Sequence, residues 1–208
     1  MPTRRAFLAG ALALVAAPCG ALEDDIPWGR LRAGGLVLLM RHASTVDGLG
    51  DPPGFRLDAC ATQRNLSDAG RAEARRVGER LREARVPIGR VYSSPWCRCR
   101  ETARVAFGEA EDWEPLSSFF EVPEREALYT ERVRKRIASY VRRPPKDNVV
   151  MVTHNVNIAA ITGLSIAPAE IVIVKPDGCC SARPLRRMKL VSVGVHLRSL
   201  ARAASPPA

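Results

Sequence analysis

Two apolar runs that each end in a histidine constrain this chain more than any other feature. "LVLLMRHAST" carries Leu36 to Met40 into Arg41-His42, and "NVVMVTHN" carries a second such run into His154. A run of four or five apolar residues has no polar face. It suits a strand covered on both sides, as in the parallel sheet of an α/β protein. In open sheets of that kind ligands bind beyond the carboxyl ends of the strands. Arg41-His42 and His154 stand at such ends, so two strands can bring them to one crevice. A lone histidine there would ordinarily do no more than hydrogen-bond the strand end. Two of them, one beside an arginine, point to a site.

The remaining pattern fits the same architecture. The Gly/Pro-rich stretch "VDGLGDPPGFRLDAC" reads as loop. Ser67 is an N-cap for an amphipathic helix from Asp68 to about Arg85, closed by Pro87. "RVYSS" reads as a strand and "WCRCRETARVAF" as a helix. "EREALYTERVRKRIASYVRR" reads as a helix stopped by Pro144-Pro145, and "NIAAITGL" as the helix fed by the second histidine strand. "EIVIVKP" and "KLVSVGVHL" read as two late strands, paired like a hairpin at one sheet edge. His196 falls in the last of these and carries no assigned role. Strand and helix alternate, which predicts a three-layer α/β sandwich with a mostly parallel central sheet and helices on both faces.

At 208 residues the chain suits one domain. Its formal charge is +10, but most arginines lie among acids in helical stretches, as solvated helix faces do. Five Phe, three Tyr and no stacking motif argue against a specific nucleic-acid reader. The first 21 residues read separately. Arg4-Arg5, then Phe7-Leu8 and an uncharged run ending at Ala21, match a twin-arginine export signal, too short to span a bilayer comfortably. The expectation is a precursor handled by the Tat machinery, a periplasmic or otherwise exported product without a stable membrane anchor, and a single domain over residues 22–208. Cleavage removes two arginines and no acid, lowering the charge from +10 to +8. It also removes Cys19, leaving Cys60, Cys97, Cys99, Cys179 and Cys180. In an oxidising compartment one or two disulfides among these are expected, with pairing not readable from spacing. Cys97 and Cys99 in "WCRC" lack a second paired set, so structural cysteines are favoured over a metal site.

Four blocks, "LMRHAST", "RNLSDAGRAEARRVGERL", "VYSSPWCRCRETA" and "VVMVTHNVNIAAITG", in this order, resemble the histidine phosphatase superfamily, the clan that includes phosphoglycerate mutases. The likeness runs from about Leu36 to Gly163. It implies that His42 accepts the phosphoryl group, with Arg41 as its neighbouring phosphate ligand. It further implies that Arg98 is the second arginine of the pocket, that His154 contacts the transferring phosphoryl group, and that Thr45 reaches phosphate. Arg100 falls at a variable position and reads as helix surface. No metal or other cofactor is implied.

The chemistry explains these residue types. Phosphomonoester hydrolysis is so slow unaided that an enzyme supplies roughly 20 kcal/mol or more of barrier lowering. A histidine nucleophile divides the reaction into two easier steps. Nearby arginines oppose protonation of the ring and hold phosphoryl oxygens through charge-assisted bonds worth about 1.5–3 kcal/mol each. A protonated His154 would add positive charge where the oxygens gather negative charge.

The leaving oxygen also needs a proton. Relatives often place a glutamate where Ser118 stands, so Glu121, three residues later, is the candidate acid, its pKa to be raised by burial beside Phe119 and Phe120. Asp47 is the reserve candidate. Ala43 and Ser44 replace a common Gly-Glu, and Asn155 stands where glycine is frequent; Asn155 is expected to cap the following helix and offer its amide to phosphate. The expected function is a metal-independent phosphomonoester hydrolase acting through a phosphohistidine on His42, on a small or surface-linked substrate such as a sugar phosphate. The alternatives are a phosphate-binding module of the same fold without turnover, which an exposed Glu121 would favour, and a phosphomutase.

Overall fold

The computed structural model describes residues 27–176 and 184–188. The proposed signal segment, Cys179, Cys180 and the "KLVSVGVHL" stretch lie outside them. Strand β1 (Val37–Arg41) runs parallel to β4 (Asn148–Thr153), pairing from Val37↔Val149 to Arg41↔Thr153. With β2 (Ile88–Ser93), β3 (Glu111–Asp112), β5 (Ile171–Val174) and β6 (Pro184–Met188) they form one sheet in the order β3-β2-β4-β1-β5-β6. The first four of these strands in space are mutually parallel, while β5 is antiparallel to β1 and β6 to β5. Among the described residues β5 thus pairs antiparallel with Pro184–Met188, and the "KLVSVGVHL" strand expected from the sequence lies outside them.

Alternation along the strands builds two cores. Leu38 and Met40 face one, with Val150 and Val152, packed against Leu31 of α1 (Trp28–Ala33), Val77 and Leu81 of α2 (Asp68–Glu83) and Ala103 of α3 (Cys97–Phe107). Val37 and Leu39 face the other, with Val149 and Met151, against Val133 and Ile137 of α4 (Glu126–Arg142) and Ile158 of α5 (Asn155–Thr162). Helices therefore cover both faces, and each fully buried aliphatic side chain contributes about 1.5–3 kcal/mol. The two runs are apolar throughout because neither face of these strands meets water.

Several boundaries follow from backbone chemistry. The Ser67 hydroxyl accepts the Gly70 N–H at 3.1 Å and caps α2 as expected. The helix stops two residues early, at Glu83, in a left-handed turn. Arg85 has φ 56°, its N–H bonds the Arg82 carbonyl at 2.8 Å, and the Val86 N–H bonds the Leu81 carbonyl at 3.0 Å. Gly70 matters for another reason: a side chain there would overlap the Ser44 carbonyl, so only glycine lets α2 approach the loop leaving β1. Helix α4 begins at Glu126 after a short 3₁₀ turn over Pro123–Arg125.

Candidate active site

The register of β1 on β4 sets the site. Arg41 pairs with Thr153 and the His42 N–H bonds the Thr153 carbonyl at 2.9 Å, so the next residues, His42 and His154, emerge at the same level. Their rings meet edge to face with centroids 5.4 Å apart, both buried. His42 Nδ1 lies 2.8 Å from the Ala43 carbonyl oxygen, which can only accept, so the neutral ring carries its hydrogen on Nδ1 and keeps the Nε2 lone pair for chemistry. The peptide that holds it is fixed in turn. The Ala43 N–H donates to Thr102 Oγ1 at 3.0 Å, whose hydroxyl donates to the Arg98 carbonyl at 2.7 Å, coupling the end of β1 to α3. Ser44 donates through both its N–H and its hydroxyl to the Glu73 carboxylate, each at 2.9 Å, which ties the same loop to α2.

The His42 pKa is lowered to about 3, chiefly by burial with help from Arg98, Arg41 and Arg64, while the Ala43 bond opposes them. His154 is also driven well below its ordinary value, first by burial and then by His42 and the same arginines. Burial thus favours the neutral form of both rings, and a protonated His154 needs a neighbouring anion. Its Nε2 sits 2.9 Å from Ser94 Oγ and 3.5 Å from the buried Cys99 thiol, whose pKa burial pushes up to about 12.

The cavity above these rings measures about 440 Å³. Arg41, Arg64 and Arg98 supply its positive charge, and each has a buried Nε without an acceptor among the described residues. Arg41 donates from Nη1 to the Ile166 carbonyl at 2.7 Å, and Arg64 from Nη1 to the Gly48 carbonyl. Arg98, in the first turn of α3, donates from Nη1 to both carboxylate oxygens of Asp51 at 2.8 and 2.9 Å, the two side chains being only 5% and 4% exposed. Asp51 also accepts from Trp96 Nε1 at 3.1 Å and from the Arg64 N–H at 2.9 Å. A disulfide joins Cys60 to Cys97, the residue before Arg98, and so fastens the loop carrying Asp51 to α3. Gln63 reinforces it, accepting the Cys97 N–H at 2.9 Å and donating to the Arg56 carbonyl at 2.9 Å.

Five of the residues singled out in the sequence, His42, Arg41, Arg98, His154 and Glu121, line this one cavity, as does Asn155. Thr45 does not: it forms a β-bridge to Leu66, outside the cavity lining. Glu121 is exposed at the rim, where Oε1 accepts the Asp51 N–H at 3.4 Å; Phe119 is buried, but Phe120 is 53% exposed and gives the carboxylate no cover. Asn155 is the first residue of α5, and its side chain bonds Ser165 Oγ at 2.9 Å and the Ile166 N–H at 2.8 Å, not the helix end. The reserve acid Asp47 is exposed and off the lining. Arg100 pairs with Asp112 at the surface, as its position implied.

Sequence reading missed Arg64, Asp51, Trp96 and Ser94. Arg64 opens the quoted block "RNLSDAG" and Ser94-Pro95-Trp96 sits inside another, so their signal lay in blocks already in view. Asp51 had none, lying in an aperiodic loop.

Three cationic side chains lining one cavity with two buried imidazoles can receive a multiply charged tetrahedral anion, and His42 Nε2 is the ring nitrogen left free there to act as a nucleophile. The family model of the histidine phosphatase superfamily (branch 1) matches residues 37–122. No curated protein matches the chain. Among solved structures, the protein histidine phosphatase SixA in complex with tungstate is similar at 20% identity and TM-score 0.53, over 74% of this chain and 97% of that one. The putative phosphohistidine phosphatase SixA of Agrobacterium tumefaciens is similar at 20% identity and TM-score 0.50, over 74% and 97%. The Rv3214 protein of Mycobacterium tuberculosis is similar at 21% identity and TM-score 0.50, over 72% and 94%. At these identities the structures establish the shared α/β fold.

Proposed function

We propose that the chain, whose residues 37–122 match the model of the histidine phosphatase superfamily (branch 1), is a member of that superfamily and a phosphomonoester hydrolase working through a phosphohistidine on His42. The observation that carries this reading is the Nδ1 contact to Ala43, which frees Nε2 in a cavity where three arginine Nε donors lack acceptors. His42 Nε2 attacks phosphorus, the P–O ester bond breaks, and its electron pair leaves on the alkoxide, which takes a proton. Water then attacks the phosphohistidine, releasing inorganic phosphate and returning the electron pair to Nε2. Arg41, Arg64 and Arg98 hold the phosphoryl oxygens throughout. A dianion beside His154 favours its protonation, offsetting the burial and neighbouring arginines that lower its pKa.

Asp51 is committed as an acceptor to Arg98, Trp96 and the Arg64 amide, so it does not serve as the acid. Glu121 on the rim is the carboxylate left for proton delivery. Export through the Tat pathway belongs to the same proposal, and a disulfide beside the site is in keeping with an oxidising compartment.

The test is hydrolysis of a chromogenic phosphate ester with and without chelator, followed by acid-quench labelling. Label on His42, lost in His42→Ala together with turnover, is the expected result. Label on a serine or cysteine overturns the nucleophile, and activity lost in chelator overturns the metal-independent scheme. The exposure of Glu121 favours a second reading, a phosphate-binding module without turnover. Phosphate binding with no ester hydrolysis over pH 4–8 would establish it.

A further inference from the structure

Apart from Glu121, Ser118 and Asn155, the outer lining of the cavity is apolar, with Leu49, Phe55, Trp96, Phe120 and Val122 on it. Among the described residues the exposed large hydrophobic side chains are seven, and five of them lie in the two loops around this cavity. Val46, Leu49 and Leu57 belong to the loop after β1, and Phe120 and Val122 to the loop before α4; Leu49 is 89% exposed and Phe120 53%. Apolar side chains scattered singly over a surface carry no message, whereas a cluster continuous with a binding pocket does.

The cluster is continuous with the reacting centre. From His42 an aromatic wall leads outward: the His154 ring lies 5.4 Å from that of His42, Trp96 lies 5.5 Å from His154, and Phe55 lies 6.0 Å from Trp96. Leu49, Phe55, Trp96, Phe120 and Val122 all line the cavity that also contains Arg41 and Arg98. The two rim loops meet through the Asp51 N–H and Glu121, and each is anchored below. The Thr153 hydroxyl donates to the Leu116 carbonyl at 2.6 Å and the Asn157 amide to the Ser117 carbonyl at 2.8 Å, while the Cys60–Cys97 disulfide holds the other loop. The apolar edge is therefore part of a built site.

We infer that the site takes an amphiphilic phosphomonoester, one whose phosphate carries an alkyl or aryl group on its ester oxygen, the phosphate held by the arginines and the apolar group packed against Leu49, Phe120, Val122 and the Trp96–Phe55 wall. This assignment rests on the phosphate-site reading above, and it adds the class of substrate. Water released from the rim residues and from the ligand's apolar group supplies the selectivity, while the arginines supply affinity common to every phosphomonoester.

Binding tests it independently of turnover. Ethyl-, butyl- and octylphosphonate, which cannot be hydrolysed at a P–O ester bond, are titrated calorimetrically into the folded protein alongside inorganic phosphate and glucose 6-phosphate. Octylphosphonate is expected to bind at least about tenfold tighter than ethylphosphonate, given the free energy of burying several methylenes. Glucose 6-phosphate should bind no tighter than inorganic phosphate. The triple variant Leu49→Ser, Phe120→Ser, Val122→Ser, altered only at exposed or half-exposed positions, should lose the chain-length gain while keeping its affinity for inorganic phosphate. Equal affinities along the series, or a gain that survives the triple variant, would overturn the inference. A chain-length gain in a protein that hydrolyses no ester would leave this inference standing and remove the hydrolase reading. Phosphatidylcholine vesicles with and without phosphatidate separate the two sources of such a ligand: competition with octylphosphonate that requires phosphatidate assigns it to a bilayer, and its absence assigns it to solution.

Discussion

Asp51 holds Arg98 inside the cavity, through one guanidinium nitrogen shared between both carboxylate oxygens at 2.8 and 2.9 Å. The same carboxylate receives the Trp96 indole and the Arg64 amide, so it fixes Arg98 in place while adding a negative charge to an anion site. Asp51→Asn keeps an acceptor for these donors and removes the charge. It is expected to tighten competitive inhibition by inorganic phosphate about three- to tenfold, because like-charge repulsion within the pocket is relieved. Asp51→Ala instead leaves a buried guanidinium unpaired and should lower stability by about 3–5 kcal/mol. Urea unfolding with and without phosphate checks both, and the Ala variant should regain part of its loss when phosphate is present.

The two buried imidazoles make stability depend on pH in a defined direction. His42 titrates near 6.5 in the unfolded chain but at about 3 when folded, so between those values the unfolded chain binds the extra proton. Stability should therefore fall as pH drops from about 6.5 toward 3, by up to about 1.4 kcal/mol per pH unit for His42, with His154 adding in the same direction. Unfolding midpoints in urea at pH 7, 5 and 4 measure the slope, and His42→Asn should flatten it. If His42 is the nucleophile as proposed, the same lowered pKa keeps it neutral, so no acid limb from His42 is expected in kcat/KM above about pH 4.

How much of this was legible depends on whether a residue's signal is local. The apolar runs into Arg41-His42 and His154 reveal buried strands, because both faces of a central parallel strand must be covered. The Ser67 cap is equally local. Arg64, Asp51 and Trp96 became site residues only through tertiary contacts: a loop without periodicity folds back and is fastened by Cys60–Cys97, a pairing that spacing does not encode. Glu121 illustrates the converse. Its neighbours Phe119 and Phe120 read as cover, but one points into the core and the other remains 53% exposed.

The disulfide closes the stretch from Cys60 to Cys97, a sequence separation of 37, and ties the far end of the loop that carries Asp51 to α3. Restricting the unfolded chain over a loop of that length is worth about 3–4 kcal/mol. Cys60→Ser with Cys97→Ser should lose stability of that order in urea. Its larger signature should be functional: with the loop unfastened, Asp51 and Trp96 no longer position Arg98, and inhibition by phosphate should weaken by at least about fivefold, a drop of about 1 kcal/mol. Unchanged phosphate affinity in a folded double variant would show that the loop is held by Gln63 and packing alone.

Glu121 is the carboxylate proposed for proton delivery, and leaving groups discriminate its role. A phenolic leaving group with low pKa departs without a proton, whereas an alkoxide does not. Glu121→Gln preserves the acceptor that meets the Asp51 N–H and removes only the titratable oxygen. Its exposure means that folding should be unaffected. Hydrolysis of an alkyl phosphate is expected to slow by about 10²- to 10⁴-fold in kcat, the range of general acid catalysis, while 4-nitrophenyl phosphate hydrolysis changes by less than about fivefold. Equal losses on both esters would assign Glu121 to binding, and no loss on either would leave proton delivery to solvent at the open rim.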